Sequence, residues 1–295
     1  MDVRQALTAR QLNAEPRRNG SVVVGASPDG RSASAVVWAV QEAESTGRLV
    51  KLVTAHEERT PSPARPAHDL SVLARQLTLQ QVMSLTTLGP VVPALLSAAA
   101  DAELLVVGHR GMGRMARALA GGVSAQLAEQ STVPVVVVPE AWMQARFAAA
   151  PLVLGLSPDA ASHGDGPEAA ATEFAFARAD ALGVPLTVVC AWQVPPVTTC
   201  DAEATVLYEQ ATKESVEGRL ASWTERYPWV TASLCSGGTT AADALLQAAR
   251  HAQLIVVARS RRRLGSTSRA IMCHSECPVV VVPDHGVDLE RGGLR

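Results

Sequence analysis

The feature that most constrains the fold of this chain is an internal duplication. The segment PVVVVP stands at 134–139 and again at 278–283. Three further blocks recur in the same order: VVVGASPDG matches LVLGLSPDA, AELLVVGHRG matches AQLIVVARSR, and a helix-start block at Gly121 matches one at Gly265. Matched blocks in a constant order are typical of repeated structural units. The 295 residues therefore predict two copies of one domain of about 130 residues each.

The duplication also predicts the domain boundaries. The first copy covers residues 20–140 and the second covers residues 151–285, with a linker at 141–150. Residues 1–19 are polar and lack the apolar segment of a signal peptide, so a mobile leader is expected there. Residues 286–295 form a tail.

In both copies, short β-branched runs alternate with longer amphipathic stretches, which is typical of βαβ units with a parallel sheet. The first copy has predicted strands near 21–25, 49–55, 82–87, 103–108 and 134–138, and predicted helices near 32–46, 69–80, 91–101 and 121–131. The second copy has predicted strands near 152–156, 185–192, 229–235, 253–258 and 278–282, and predicted helices near 167–182, 202–226, 240–250 and 266–275. Continuous apolar runs such as VVVV indicate strands covered on both faces. The predicted fold class is α/β, with two tandem doubly wound five-stranded parallel sheets.

Composition excludes several classes of partner. The 26 basic and 28 acidic residues give a net charge of −2, which offers no overall electrostatic attraction to nucleic acid. No apolar run approaches the roughly 20 residues of a membrane span. The five cysteines are odd in number and do not form a secreted disulfide framework. We therefore expect a cytoplasmic protein with no nucleic-acid or membrane partner.

The loop after the fourth strand is the strongest candidate for a ligand site. Open α/β sheets bind ligands at the carboxyl ends of their strands. Glycines such as Gly108, Gly111 and Gly121 let backbone N–H groups approach a ligand, and the next helix presents its positive amino end. Arg114 adds a charge-assisted donor, and the whole describes a phosphate cradle. The alternative interpretation is a flexible glycine-rich surface loop.

These residues resemble the universal stress protein family. The spacing of Gly108, Gly111 and Gly121 fits that family's G-x2-G-x9-G motif, and Cys277-Pro278-Val279 matches the Cys-Pro-Val before its last strand. The stretch from Val24 to Ala39 also matches the family's first strand and helix. The resemblance implies an adenine-nucleotide α-hydrolase-like sheet of order 3-2-1-4-5, with the last strands of two domains meeting antiparallel. It also implies ATP, accompanied by Mg²⁺, in members that keep the glycine motif.

Two departures from the family pattern limit this expectation. The family's acidic residue after the first strand is replaced by Ser27 and by Ser157. In the second copy, Ala258 and Arg261 replace the first two glycines, and only three residues separate Arg261 from Gly265. That loop is too short to wrap a triphosphate, so ATP is expected in the first copy and a degenerate site in the second. The candidate nucleotide-binding residues are Gly25, Ala26, Ser27, Ala55, His56, Gly108, His109, Arg110, Gly111, Gly113, Arg114, Gly121, Gly122, Val123 and Ser124.

The sequence therefore predicts a stress-response regulatory protein that binds ATP and is not an enzyme, because no catalytic set or metal-ligand set is visible; slow incidental hydrolysis stays open. The alternative is a nucleotide-free scaffold for dimerisation or partner docking, with both sites decayed. The two PVVVVP strands are expected to pair within the chain as a pseudo-dimer, and a further homodimer or a protein partner stays open. The run from Arg259 to Arg263 fits either a solvated face or an anion site.

Overall fold

A computed structural model gives the structure of residues 20–27, 30–56, 82–109, 122–143, 149–158, 168–191, 202–237, 239–259 and 264–284. Within these ranges the chain forms ten strands and seven helices. The first copy contains β1 (Ser21–Gly25), α1 (Ala33–Thr46), β2 (Leu49–His56), β3 (Val82–Leu88), α2 (Val91–Ala99), β4 (Leu104–His109), α3 (Val123–Gln130) and β5 (Val135–Pro139). The second contains β6 (Leu152–Leu156), α4 (Ala169–Leu182), β7 (Leu186–Ala191), α5 (Ala202–Arg226), β8 (Ala232–Gly237), α6 (Ala241–Ala249), β9 (Leu254–Arg259), α7 (Ser266–His274) and β10 (Val279–Pro283).

The described strands join one sheet in the order β3-β2-β1-β4-β5-β10-β9-β6-β7-β8. Neighbouring strands within each copy are parallel and follow the order 3-2-1-4-5. The two copies meet where β5 pairs with β10, and this pairing is antiparallel. The predicted fold class, including the pairing of the two last strands, is confirmed.

The junction between the copies has a pseudo-twofold axis. Val136 lies opposite Val280, and each is the second residue of its strand. Both side chains are fully buried. Because equivalent residues of the two copies face each other here, the axis passes between them, and the chain makes within itself a contact that two separate domains would make as a dimer.

The core runs through both copies without a break. Val135 to Val138 and Val279 to Val282 are buried on consecutive residues, as the VVVV runs predict. The buried apolar side chains of the two copies form one connected cluster, which also includes Trp142. At the outer edge formed by β3, the strand's side chains are mostly exposed, and Leu88 at its end is 74% exposed. No helix among the described residues is both long enough and apolar enough to cross a membrane.

Most predicted elements lie within two residues of the observed ones. The strand predicted at 229–235 begins instead at Ala232, because a turn follows α5. In that turn the N–H of Val230 donates to the carbonyl of Tyr227, and Trp229 points into solvent. The helix predicted at 69–80 lies outside the described residues.

The register at the junction predicts an engineered disulfide. Residues directly opposite each other in an antiparallel pair have Cα atoms about 4.5–5.5 Å apart, within the range that a disulfide spans. The variant Val136→Cys/Val280→Cys should therefore oxidise to an intrachain disulfide, detected by peptide mapping of the monomeric protein. In the control Val136→Cys/Val282→Cys, the two positions are diagonal rather than opposite, and no such bond should form. A disulfide in the control alone would contradict the register.

Candidate functional site

Three strand ends of the first copy meet at one edge of the sheet. β1 lies between β2 and β4, and Gly25 is paired with Val53 on one side and Val107 on the other. The predicted site residues at this edge are Gly25, Ala26 and Ser27 after β1, Ala55 and His56 at the end of β2, Gly108 and His109 at the end of β4, and Gly122, Val123 and Ser124 at the start of α3. Arg110, Gly111, Gly113, Arg114 and Gly121 lie outside the described residues.

The turn after β1 is closed by a neutral hydroxyl. The N–H of Ser27 donates to Oγ of Ser32 over 2.8 Å, and the carbonyl of Ser27 accepts the N–H of Gly30. Ser32 is buried and stands directly before α1. The position that carries an acid in the family's pattern thus carries a serine whose backbone is held by a second serine.

Two of the predicted glycines have a packing role. A Cβ atom on Gly25 would lie 3.1 Å from Cδ1 of Leu95, the buried leucine of α2 that packs over β1. A Cβ atom on Gly108 would lie 3.4 Å from Cα of Ser32, because the turn before α1 passes over the end of β4. In the second copy, a Cβ atom on Gly155 would likewise lie 3.2 Å from Cδ1 of Leu245. At Gly25 an added Cβ would require Leu95 to shift by a few tenths of an ångström, whereas at Gly108, the first glycine of the motif, it would make an ordinary van der Waals contact.

The amino end of α3 has the features of an anion-binding site. Gly122 is its N-cap residue, with extended backbone (φ −61°, ψ 154°), and no side chain of the described residues caps the helix there. A Cβ atom on Gly122 would meet nothing within 4 Å. The N–H groups of a first helical turn have no partner inside the helix, and the helix dipole adds positive potential there. Ser124 places a hydroxyl in the same turn.

His109 lies at this end of α3, within electrostatic reach of the second copy. Its side chain is 8% exposed, and Nδ1 lies 3.4 Å from Oγ of Ser124. Nε2 is buried and has no hydrogen-bond partner in the described part of the chain. Burial lowers the pKa of His109, and the positive charge of His274 on α7 lowers that pKa further. The imidazole is therefore held in its neutral form, and the sequence did not indicate that a residue of the second copy contributes to this.

In the second copy, the equivalent turn is bound by the protein's own charged side chains. The N–H of Ser157 donates to Oε1 of Glu168 over 2.8 Å, and Nη1 of Arg219 donates to the carbonyl of Ser157 over 3.0 Å. Glu168 and Arg219 form an ion pair at 3.8 Å. Burial raises the pKa of Glu168, while the Ser157 N–H and the Arg219 charge act in the opposite direction. Glu168 stands directly before α4, where Ser32 stands before α1, and aligning the two helix starts would have indicated it.

Arg259 has a structural role that the sequence did not show. Its Nη1 atom donates to the carbonyls of Ala128, Glu129 and Ser131, at 3.1, 2.9 and 2.7 Å. These are the last carbonyls of α3 and its C-cap residue, which have no partner within the helix. Burial lowers the pKa of Arg259, and Asp284 and Glu129 act in the opposite direction. Arg259 therefore binds the first copy, and residues 261–263 of the predicted basic cluster lie outside the described residues.

Comparison with known proteins assigns the chain to a family. The family model described as the universal stress protein family matches residues 19–139 and again residues 161–283. The chain belongs to the universal stress protein family. The second match begins after β6, yet β6 pairs with both β7 and β9 and occupies the place of β1 in the second copy.

Relatives within the universal stress protein family share the tandem length. The chain is 29% identical to the universal stress protein Rv1996 of Mycobacterium tuberculosis, over 89% of this chain and 95% of that protein. It is 33% identical to a universal stress protein of Mycolicibacterium smegmatis over 64% of each chain. Among solved structures, it is similar to a functionally unknown protein, PA1789, of Pseudomonas aeruginosa PAO1. That likeness has a TM-score of 0.63 and 17% identity, and covers 90% of this chain and 93% of the other.

The environment of His109 predicts how the stability of this universal stress protein depends on pH. An unfolded histidine binds a proton near pH 6.5, whereas the pKa of folded His109 is lower. Below about pH 6.5 the unfolded chain therefore binds more protons at this site, so the free energy of unfolding falls as the pH falls, by at most about 1.4 kcal/mol per pH unit. In His109→Asn this contribution disappears, and urea unfolding between pH 7 and pH 5 should show a smaller loss than in the wild type.

His251 provides the matched control within the same protein, because this residue is exposed to solvent. His251→Asn should keep the wild-type dependence on pH. Equal slopes for His109→Asn and the wild type would contradict the assignment of a neutral buried imidazole at His109.

Proposed function

We propose that this universal stress protein is a cytoplasmic stress-response regulator that binds one ATP, with Mg²⁺, in its first copy, and that it is not an enzyme. The observation that carries the proposal is the amino end of α3, which no described side chain caps and which lies beside the carboxyl end of β4, the neighbour of β1 in the sheet. Phosphate groups bind at such helix ends, because backbone N–H groups and the helix dipole both favour negative charge there. Cys235, Cys273 and Cys277 are free thiols, which supports a reducing compartment.

The connection that leads into α3 supports the same proposal. Thirteen residues separate His109 from Val123, and glycines in this connection allow its N–H groups to approach a triphosphate. Ser124 in the first turn of α3 supplies a hydroxyl donor for a phosphate oxygen. No group of three or more metal-binding side chains occurs among the described residues, so Mg²⁺ would arrive with the triphosphate.

The differences between the two copies support one nucleotide per chain. Only six residues separate Arg259 from Ser266 in the second copy, which is too short a connection to surround a triphosphate. The turn after β6 already holds the Glu168 carboxylate, which would repel phosphate groups. The second copy would therefore support the first rather than bind a nucleotide of its own.

The proposal that this protein is not an enzyme is based on the surroundings of His109. No carboxylate hydrogen-bonds to this imidazole among the described residues, and its hydrogen-bond contact is to Ser124. In catalytic triads such a carboxylate orients the histidine and stabilises its protonated form, so its absence supports a role other than general base. Any hydrolysis of bound ATP would be slow and incidental.

A scaffold without nucleotide is the second candidate, and the turn after β1 favours it. The N–H of Ser27 is already bonded to Ser32, and the family's acidic residue is absent from this position. A turn that is satisfied without a ligand fits a fold used for dimerisation or partner docking, including a further homodimer.

One pair of variants tests nucleotide binding without damage to the fold. Aspartate is a favoured N-cap residue, and at Gly122 its side chain would enter open space, so Gly122→Asp should preserve or raise the melting temperature. Its negative charge at the amino end of α3 should repel phosphate and weaken Mg-ATP binding, measured by titration calorimetry, by at least tenfold. Gly265→Asp is the matched control, since Gly265 is the N-cap residue of α7 and also faces open space. This control should bind Mg-ATP as the wild type does.

The same titration separates the two candidate functions. About one site per chain, lost in Gly122→Asp and kept in Gly265→Asp, supports ATP binding by the first copy. Equal effects of the two substitutions would contradict the assignment to the first copy. A folded wild-type protein that releases no heat up to millimolar Mg-ATP would overturn ATP binding and leave the scaffold.

A smaller change at the same helix tests the phosphate contact itself. Ser124→Ala removes only the hydroxyl, and a hydrogen bond to a charged group contributes about 1.5 kcal/mol, so Mg-ATP affinity should fall roughly tenfold. Ser268→Ala, near the start of α7 in the second copy, is the control and should leave the affinity unchanged. An unchanged affinity in both variants would remove Ser124 from the proposed site.

A further inference from the structure

The contacts across the pseudo-twofold axis are unequal in charge. Arg178, Arg259 and Arg269 all belong to the second copy, and each binds the first copy. Arg178 pairs with Glu42, Arg269 pairs with Glu129, and Arg259 binds backbone carbonyls of α3. In each of these contacts the second copy supplies the cation and the first copy supplies the acceptor.

Glu42 and Arg178 occupy the same position in the two copies. Each is the tenth residue of a fourteen-residue helix, α1 or α4, and each helix ends at a glycine in the left-handed conformation, Gly47 or Gly183. The two side chains nevertheless meet each other, with Nη1 donating to Oε1 and Nη2 in contact with Oε2. They therefore lie on the pseudo-twofold axis, as Val136 and Val280 do.

This ion pair is removed from solvent. The side chain of Glu42 is 3% exposed and that of Arg178 is 16% exposed. Breaking a buried ion pair strongly destabilises a protein, because the remaining charge is left without compensation. Two like charges at such a site would destabilise the protein further, because they repel each other in a medium of low polarity.

On a true twofold axis, a residue meets its own counterpart. A contact between the first copies of two chains would place Glu42 against Glu42. A contact between two second copies would place Arg178 against Arg178. Only the combination of unlike copies brings a carboxylate and a guanidinium together.

The other two arginines reinforce the same choice. Arg259 is the last residue of β9, and the last residue of β4 is His109. Arg269 of α7 corresponds to Ala125 of α3. Two first copies would therefore lack both of these cations. Two second copies would lack the Glu129 carboxylate, because Cys273 stands in its place.

We propose that Glu42 and Arg178 determine pairing specificity: the surface around the axis accepts the unlike copy of this chain and rejects a like copy from a second chain. Arg259 and Arg269 add to this selection. The proposal concerns the junction of the copies and does not depend on nucleotide binding.

Charge reversals within one chain reproduce, at the internal junction, the contacts that two like copies would make. Arg178→Glu creates, at the internal junction, the carboxylate pair that two first copies would carry, and Glu42→Arg creates the guanidinium pair of two second copies. Each should lower the melting temperature by about 5–10 °C, because a buried charge is both unpaired and repelled. Arg178→Ala removes the charge without adding repulsion, so it should lower the melting temperature by clearly less. The swapped chain Glu42→Arg/Arg178→Glu should recover at least half of the loss.

The exposed ion pair between Arg226 and Glu173 gives the matched control, since its side chains are 59% and 50% exposed. Arg226→Glu should change the melting temperature by no more than about 2 °C. Equal losses in Arg178→Glu and Arg178→Ala would overturn the proposal, because the pair would then be a stabilising contact without selectivity. If Arg178→Glu is not recovered as folded protein, a folded swapped chain supports the proposal, and a swapped chain that also fails overturns it.

Discussion

The antiparallel pairing of β5 with β10 is the contact on which the rest of this structure depends. Each of these strands would otherwise be the open edge of a five-stranded sheet, with unpaired backbone groups and a run of apolar side chains facing solvent. Pairing them removes both edges, joins the two cores and fixes one register, with Val136 opposite Val280. That register brings α1 against α4 through Glu42 and Arg178, so the polar contacts between the copies follow from the strand pairing.

The two copies differ most in the turns after their strands, where pairing in the sheet no longer fixes the backbone conformation. The strands are repeated closely, and so is the glycine under Leu95 or Leu245, where an added Cβ would lie only 3.1 or 3.2 Å from that leucine. The turns after β1 and β6 are held differently, by a serine hydroxyl in one copy and by a partly buried ion pair in the other. Such turns can change without disturbing the sheet. The copies can therefore differ in their connections, with thirteen residues leading into α3 and only six leading into α7.

Much of the fold could be predicted from the sequence, since apolar β-branched runs such as VVVV require cover on both faces and their repetition reveals two copies. The departure of Ser27 from the family's acidic residue could also be seen directly. Contacts between distant elements could not. Arg219 lies 62 residues from Ser157, and Arg259 binds backbone carbonyls, which carry no signature in the sequence. Glu42 reads as an ordinary charge on an amphipathic helix until the pseudo-twofold axis brings Arg178 to it.

The position of Arg259 has a consequence for how substitutions in the second copy act on the first. Its guanidinium holds the carboxyl end of α3, the helix whose amino end is the candidate phosphate site. The second copy thus has a structural role in the first, because its arginine binds the end of α3. Substitutions of Arg259 would remove these hydrogen bonds, so a change in the second copy would act on the position of a helix in the first.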